Sequence, residues 1–150
     1  NLITSKREAV MQIEKGAQFL SQARTVTETD IVNFCGLSGD FTPVHSDAEF
    51  ARTTPAGERI AHGPLVLSVA IGLATASGLF GNRVIGLVNC NWDFSAPVRI
   101  GDTIRSVVEV TEIRATSKPG RELATYQFKV LNQRDESVQQ GRLIVVLRAT

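Results

Sequence analysis

Four long runs rich in apolar residues fill the second half of the chain, and the third alternates between apolar and polar residues. The runs cover residues 83–94, 103–115, 122–132 and 138–149. Turn-forming residues separate them, among them Gly101-Asp102 and Lys118-Pro119-Gly120. A period of two is typical of strands with one buried face, and short turns join antiparallel neighbours. The second half therefore predicts a mostly antiparallel β-meander.

The first half has a different pattern, which predicts helices and one strand. Residues 4–13 suggest a short amphipathic helix or an ordered arm, and residues 18–26 alternate loosely like a first strand. Thr27 and Asp30 then form a variant of the capping box, which starts a helix that we expect to end near Gly39. A second short helix is expected to start at residues 46–49.

One uncharged run of 18 residues, 64–81, could be mistaken for a membrane span. Serine and glycine interrupt it and no aromatic belt flanks it, so we predict a helix buried on all sides, starting at Pro64. With about five strands, this predicts an α+β fold: a curved antiparallel sheet wrapped around a long apolar central helix. We expect one domain over residues 1–150, with residues 1–15 as an N-terminal arm or short helix.

Composition narrows the class of protein further. The chain has 150 residues, of which 43% are hydrophobic and 21% charged, the balance of a single globular domain. Lys plus Arg is 16 and Asp plus Glu is 15, so no basic field favours nucleic acid, although a local basic rim for a phosphorylated small ligand stays open. Cys35 and Cys90 lack metal-ligand spacing and predict reduced core thiols of a cytoplasmic protein, and no signal peptide is recognised.

The candidate chemistry centres on two histidines, the only ones in the chain. His45 follows Asp40 by five residues in a predicted loop over residues 39–45, which Pro43 restrains. A carboxylate and an imidazole on one restrained loop can act on a single water as acid and base. The alternative is that Asp40 caps the next helix and His45 is an ordinary surface residue.

Gly63 precedes the long apolar helix, where unpaired backbone N–H groups carry partial positive charge. Because Pro64 has no N–H, the N–H groups of Gly63 and Leu65 remain to hold a developing oxyanion. The alternative is a glycine that only a tight turn requires. His62, just before it, reads as a structural or pocket-wall residue. Two histidines without clustered carboxylates predict no metal site.

These residues resemble the MaoC-like hydratases and dehydratases, including the (R)-specific enoyl-CoA hydratases of hotdog fold. The matching stretches are residues 24–30, 38–45, 60–63, 94–98 and 101–102, together with Phe34, Asp47 and Ala51. The resemblance covers about residues 13–148. Its specific part is the Asp-x-x-Pro-x-His loop, followed by His-Gly and an apolar helix.

The resemblance implies roles for individual residues. Asp40 and His45 correspond to the family's catalytic pair, and Gly63 to the glycine amide that binds the thioester oxygen. Thr42, His62 and Leu65 fall in the surrounding oxyanion and substrate-binding region. The family's hydratases often carry Asn where this chain has Thr42. Some carry Ser on the central helix where Ile71 falls here.

The resemblance also implies a reaction. Water bound by Asp40 and His45 would add to C3 of a trans-2-enoyl thioester, giving an (R)-3-hydroxyacyl thioester, and dehydration is the reverse. No cofactor is implied, because the thioester already acidifies C2. The implied partners are an acyl-CoA or acyl-carrier thioester and a second copy of the chain, with no nucleic acid and no membrane. A dehydratase of acyl carrier protein thioesters, a hotdog thioesterase and a non-catalytic acyl-thioester binding protein remain open as alternatives.

Overall fold

The computed structural model describes residues 13–150, so the helix predicted over residues 4–13 lies outside the described part but for its last residue. The described chain contains four α-helices and six β-strands. The helices are α1 (Glu28–Ser38), α2 (Pro43–Ser46), α3 (Ala48–Arg52) and α4 (Gly63–Ala76). The strands are β1 (Gln18–Leu20), β2 (Arg24–Thr25), β3 (Val84–Phe94), β4 (Thr103–Ala115), β5 (Arg121–Leu131) and β6 (Ser137–Arg148).

The strands form one antiparallel sheet in the order β1-β4-β5-β6-β3, and β2 also pairs with β4. The predicted meander is right for β4, β5 and β6 and wrong for β3, which pairs with β6 at the far edge. The connection 95–102 crosses the end of the sheet to reach β4. On the way, Ser95 N–H donates to the Val138 carbonyl (2.9 Å) and Gly101 N–H to the Val26 carbonyl (2.8 Å). These bonds replace the hairpin that the short spacing suggested.

The strand predicted over residues 18–26 is divided, which gives six strands instead of about five. The interruption lies at Ser21, which is buried. Its backbone N–H donates to the Ser106 carbonyl (2.9 Å), and its hydroxyl oxygen accepts the Ser106 N–H (2.8 Å). A side-chain oxygen therefore takes the place of a backbone carbonyl, and the regular ladder stops between β1 and β2.

Helix α4 packs on the inner face of the sheet, and the expectation of burial on all sides is wrong. Its buried residues are Leu65, Val66, Ala70 and Ala74. They join two apolar clusters with side chains of β4, β5 and β6, and the buried Ser106 hydroxyl of β4 donates to the Ala70 carbonyl at 2.9 Å. The opposite face, including Ser68 and Gly72, is exposed, because the sheet covers only one side of the helix. Within residues 13–150, no helix combines the length and hydropathy needed to cross a membrane.

The two cysteines lie in different surroundings. Cys35 is buried on α1, as predicted, whereas Cys90 is exposed on β3. The core assignment of Cys90 is therefore wrong. Its strand reads as apolar in sequence, but β3 is an edge strand and most of its residues are exposed. Both cysteines are free thiols.

Candidate active site

The carboxylate of the candidate site lies just beyond the end of α1. The predicted capping box at Thr27 and Asp30 starts this helix, and Gly39 ends it with a left-handed backbone (φ 76°). Residues with a Cβ rarely adopt this conformation, so glycine suits the position. Gly39 N–H donates to the Cys35 carbonyl (2.8 Å), which turns the chain away from the helix axis at Asp40.

Thr42 holds the carboxylate of Asp40. The Thr42 hydroxyl donates to Asp40 Oδ1 at 2.6 Å, and the Thr42 N–H donates to the same oxygen at 3.1 Å. These two bonds, the hydroxyl first, lower the pKa of Asp40. Asp40 is therefore an exposed, ionised carboxylate at neutral pH. Thr42 acts on the carboxylate and lies outside the lining of the adjacent pocket.

His45 lies on the one-turn helix α2, which Pro43 begins. The sequence predicted a loop here, but proline suits the first position of a helix, where its missing N–H costs nothing. His45 Nδ1 is 2.8 Å from the Ile60 carbonyl oxygen. A carbonyl only accepts hydrogen bonds, so Nδ1 carries the proton and Nε2 of the neutral ring keeps a free lone pair.

His62 is buried directly against His45. The two rings stack with centroids 3.8 Å apart and planes inclined by 25°. His62 Nε2 is 3.0 Å from the Asp40 carbonyl oxygen. One carboxylate oxygen of Asp40 and one ring nitrogen of each histidine all lie within 4.8 Å of one another. The fold thus assembles three polar groups that the sequence places in two separate loops.

This trio has the donor types of a transition-metal site, but its geometry is unfavourable for one. A metal bound by two imidazoles lies about 2 Å from each nitrogen and close to the plane of each ring. Rings stacked as closely as those of His45 and His62 direct their lone pairs side by side instead of toward a common point. The arrangement is better suited to holding a water or a substrate oxygen.

Gly63 is the first residue of α4, so its N–H has no acceptor within the helix. A Cβ at this position would lie 2.7 Å from Cδ1 of Phe94. The Gly63 carbonyl accepts the side-chain N–H of the buried Gln139 (3.1 Å), whose oxygen accepts the Trp92 indole N–H (2.9 Å). The start of α4 is therefore tied to β3 and β6. Leu65, two residues further along, is buried in the core and does not line the pocket described next.

An open pocket of about 330 Å³ adjoins Gly63. Its lining includes His45, the start of α4 and the connection between β3 and β4. The lining residues are His45, Ile60, Ala61, Gly63, Val66, Phe94, Ser95, Ala96, Pro97, Val98 and Gln139. Sequence reasoning missed Phe94 and Gln139 as site residues. Phe94 belongs to a stretch that the family resemblance uses, whereas no local pattern marks Gln139.

A second pocket, of about 360 Å³, lies beside the C-terminal half of α4. Its lining is almost entirely apolar and comes from α4, β3, β6 and the segment between α4 and β3. The residues are Ile71, Thr75, Phe80, Gly81, Val84, Leu87, Leu143 and Val145. At a rise of about 1.5 Å per residue, Ile71 lies about 12 Å along the helix from Gly63. Polar groups and an apolar cavity thus occupy the two ends of one helix.

An antiparallel sheet packed on one central helix, with Asp40, His45 and Gly63 gathered at the start of that helix, defines a hotdog protein with a polar site. The family model for the MaoC like domain matches residues 11–130, and the chain belongs to this family. An (R)-specific enoyl-CoA hydratase from Rhodospirillum rubrum is 42% identical over 101 residues, which are 65% of this chain. The chain spans 66% of that relative's length, just under two thirds.

Solved structures agree with this assignment. The X-ray structure of a monoamine oxidase regulatory protein from Archaeoglobus fulgius matches with a TM-score of 0.87 and 39% identity, covering 92% of each chain. A Mycobacterium tuberculosis protein with a double hotdog fold matches with a TM-score of 0.80 and 25% identity, covering 91% of this chain and 43% of that one. The predicted hotdog fold is confirmed.

Proposed function

We propose that the chain hydrates trans-2-enoyl-CoA thioesters to (R)-3-hydroxyacyl-CoA thioesters, and catalyses the reverse dehydration. The observation that carries this proposal is the pairing of an ionised Asp40 with a His45 whose Nε2 is free, within 4.8 Å of one another. Such a pair can bind one water and take its proton. Similarity to a hydratase of the same family supports the choice of reaction.

The chemistry follows from these groups. Asp40 and His45 hold a water, one of them accepts its proton, and the water oxygen forms a bond to C3 of the enoyl group. The electron pair of the C2–C3 double bond moves toward the thioester, and negative charge grows on its oxygen. The Gly63 N–H at the start of α4 stabilises that charge. The pair then delivers a proton to C2, so that one water has been added in total and no redox step is involved.

The apolar pocket beside the C-terminal half of α4 suits the acyl chain, because it is lined almost entirely by apolar side chains. The open rim of the pocket near Gly63 suits the larger thiol part of the substrate. The same chemistry serves a thioester of acyl carrier protein, and CoA is the carrier that similarity to the Rhodospirillum hydratase favours. Asp40 and His45 would hold the water on one fixed face of the enoyl group, and the family resemblance implies that addition from this face gives the (R) product.

The test uses crotonyl-CoA and follows the enoyl absorbance, free thiol release and the chirality of the product. We expect loss of enoyl absorbance, no free CoA and an (R) product. Thiol release would indicate a thioesterase, no change of either signal would indicate a binding protein, and an (S) product would overturn the proposed geometry.

The acid–base pair has its own test. Asp40→Asn and His45→Gln should each nearly abolish hydration, and the double variant should be little slower than either, because the two residues act as one unit. Thermal midpoints should change little, since Asp40 is exposed and His45 is half-buried at the pocket. A rate near that of the unmodified protein in Asp40→Asn would remove the hydratase assignment.

We also propose that the protein acts as a homodimer in the cytoplasm. Strand β3 ends the sheet with an edge that nothing in residues 13–150 pairs with, and its first half carries four large apolar residues that are exposed: Val84, Ile85, Leu87 and Val88. An edge of this kind commonly pairs with a second chain. The free thiols of Cys35 and Cys90 suit a reducing compartment.

Light scattering tests the assembly. The mass should be about twice the 16.3 kDa of one chain. Val88→Lys should shift it toward the monomer, whereas Leu37→Lys, an equally apolar and even more exposed position on α1, should not. A monomer at micromolar concentration without any substitution would contradict the proposal. Cell fractionation tests the compartment.

A further inference from the structure

His62 is a buried polar residue whose placement packing alone does not explain. Its side chain is 1% exposed, and its Nδ1 has no hydrogen-bond partner among residues 13–150. Burying an unpaired acceptor is unfavourable, so most buried polar atoms in proteins are paired. A residue selected only to fill this space would be apolar. A histidine at this position therefore indicates that Nε2 or the ring face has a specific role.

The contacts of His62 converge on the two proposed catalytic residues. Its ring face lies on the ring of His45, and its Nε2 is 3.0 Å from the backbone carbonyl oxygen of Asp40. Phe34 packs against the ring at a centroid distance of 4.9 Å, and Cys35 Sγ is 3.6 Å from the same nitrogen, Nε2. His62 therefore contacts both the backbone of Asp40 and the ring of His45.

These contacts determine where the proton sits. The Asp40 carbonyl can only accept, so Nε2 of His62 must be the donor and Nδ1 is bare. The partner of His45 Nδ1 is also a carbonyl, that of Ile60, so the proton of His45 is on Nδ1. The two stacked rings therefore hold opposite tautomers.

We propose that His62 is a positioning residue that acts through its Nε2–H tautomer. The donated bond fixes the backbone of Asp40, and the ring face fixes His45, so that both aim at one water. This inference rests on the proposed hydration. It assigns His62 to neither proton transfer nor substrate contact. The unpaired Nδ1 is then the consequence of requiring the proton on the other nitrogen.

The first test is spectroscopic and independent of activity. The chain has two histidines, so protein labelled with ¹⁵N-histidine and free of a histidine tag shows only two imidazole patterns. At a pH where both rings are neutral, long-range ¹H–¹⁵N spectra should show one Nδ1–H ring and one Nε2–H ring. The spectrum of His62→Phe assigns the remaining ring to His45. A proton on Nδ1 of His62 would overturn the inference, whether or not the protein is a hydratase.

The second test separates the donor from the ring. His62→Gln places an amide N–H near the position of Nε2, and His62→Phe keeps an aromatic ring without a donor. We expect His62→Phe to lower kcat for crotonyl-CoA by about 10²-fold with KM within about threefold, the scale of a 1 Å misplacement. Its thermal midpoint should change little, because removing the unpaired Nδ1 offsets the loss of the donor to the Asp40 carbonyl. His62→Gln should keep kcat within about tenfold.

Each outcome of the second test decides between the readings. Unchanged kcat in His62→Phe, or a lower kcat that simply follows a lower thermal midpoint, would make His62 structural and overturn the inference. If the unmodified protein does not hydrate crotonyl-CoA or longer enoyl-CoA thioesters, the proposed function fails. The tautomers measured by NMR still decide whether His62 holds the Asp40 backbone.

Discussion

The substitution Gly63→Ala, which adds one methyl group, is the sharpest test of the role of the Gly63 N–H at the start of α4. The new Cβ would lie 2.7 Å from Cδ1 and 2.8 Å from Cε1 of Phe94. Carbon atoms in contact are ordinarily about 3.5–4.0 Å apart, so the ring must move by about 1 Å. Phe94 is 55% exposed and can turn toward solvent, so we expect Gly63→Ala to cost only about 1 kcal/mol of unfolding free energy. That corresponds to a thermal midpoint lower by about 2–4 °C.

The expected loss of activity is much larger than that cost. If the Gly63 N–H meets the thioester oxygen, a methyl group beside it hinders the approach, and kcat/KM for crotonyl-CoA should fall by about 10²–10³. A loss of about 1 kcal/mol from a typical stability of about 5–15 kcal/mol leaves the protein folded, so unfolding cannot produce such a decrease. Steady-state kinetics and thermal melts on the same preparation measure both quantities.

Two further variants assign the cause. Gly72→Ala lies on the same helix, where a Cβ would meet nothing within 4 Å, and should keep kcat/KM and gain about 0.5–1 kcal/mol. In the double variant Gly63→Ala/Phe94→Ala the steric clash is absent. Its unfolding free energy should therefore be about 1 kcal/mol higher than the sum of the two single effects predicts, while kcat/KM stays low. Recovery of activity in the double variant would attribute the loss to the displaced ring. An unchanged kcat/KM in Gly63→Ala would refute the proposed role of this N–H.

Three other predictions concern polar groups near the site and in the core. Thr42→Val should raise the pKa of Asp40 toward its ordinary value in a ¹³C-carboxyl NMR titration, and Thr42→Ser should not. An Asp40 pKa that is the same in Thr42→Val as in the unmodified protein would mean that the hydroxyl bond is not formed. Gln139→Leu leaves the Gly63 carbonyl without its side-chain donor and should lower the unfolding free energy by about 1–3 kcal/mol. Urea unfolding followed by fluorescence of the single Trp measures this loss, and an unchanged midpoint would contradict the prediction. Burial raises the pKa of Tyr126, the only tyrosine, to about 12 from 10.0. Its contribution to stability is therefore full below pH 10.0 and is lost as the pH rises through about 12, a loss that Tyr126→Phe should abolish in alkaline melts.

Local pattern was sufficient for the elements whose neighbours in sequence are also neighbours in space. Strands β4, β5 and β6 follow one another across the sheet, and their apolar runs and turns predicted them almost to the residue. Strand β3 was placed wrongly, because its apolar run does not reveal which strand supplies its hydrogen bonds. The exposed face of α4 was missed for a related reason: Ser68 and Gly72 mark a stripe of small residues along the helix, but they do not show whether another element covers it.

The candidate site was predictable where a short segment carries it. Pro43 restrains the segment that holds Asp40 and His45, and a proline after a glycine marks the start of α4. The contacts of His62 and Gln139 are long-range. His62 Nε2 bonds a backbone carbonyl 22 residues away, and Gln139 bonds Gly63 across 76 residues. Such contacts depend on how the completed layers pack, which composition and spacing do not encode.

The bond between Gln139 and Gly63 also bears on the order in which the protein acquires its shape. Among residues 13–150, β6 is the strand furthest along the sequence, yet it supplies Gln139 and the Val138 carbonyl that receives Ser95 N–H. A ribosome-bound chain that ends before β6 lacks Gln139 and cannot close the pocket. Closing so long a loop is entropically unfavourable and comes late in folding. We therefore expect substrate-binding ability to appear only when β6 has left the ribosome.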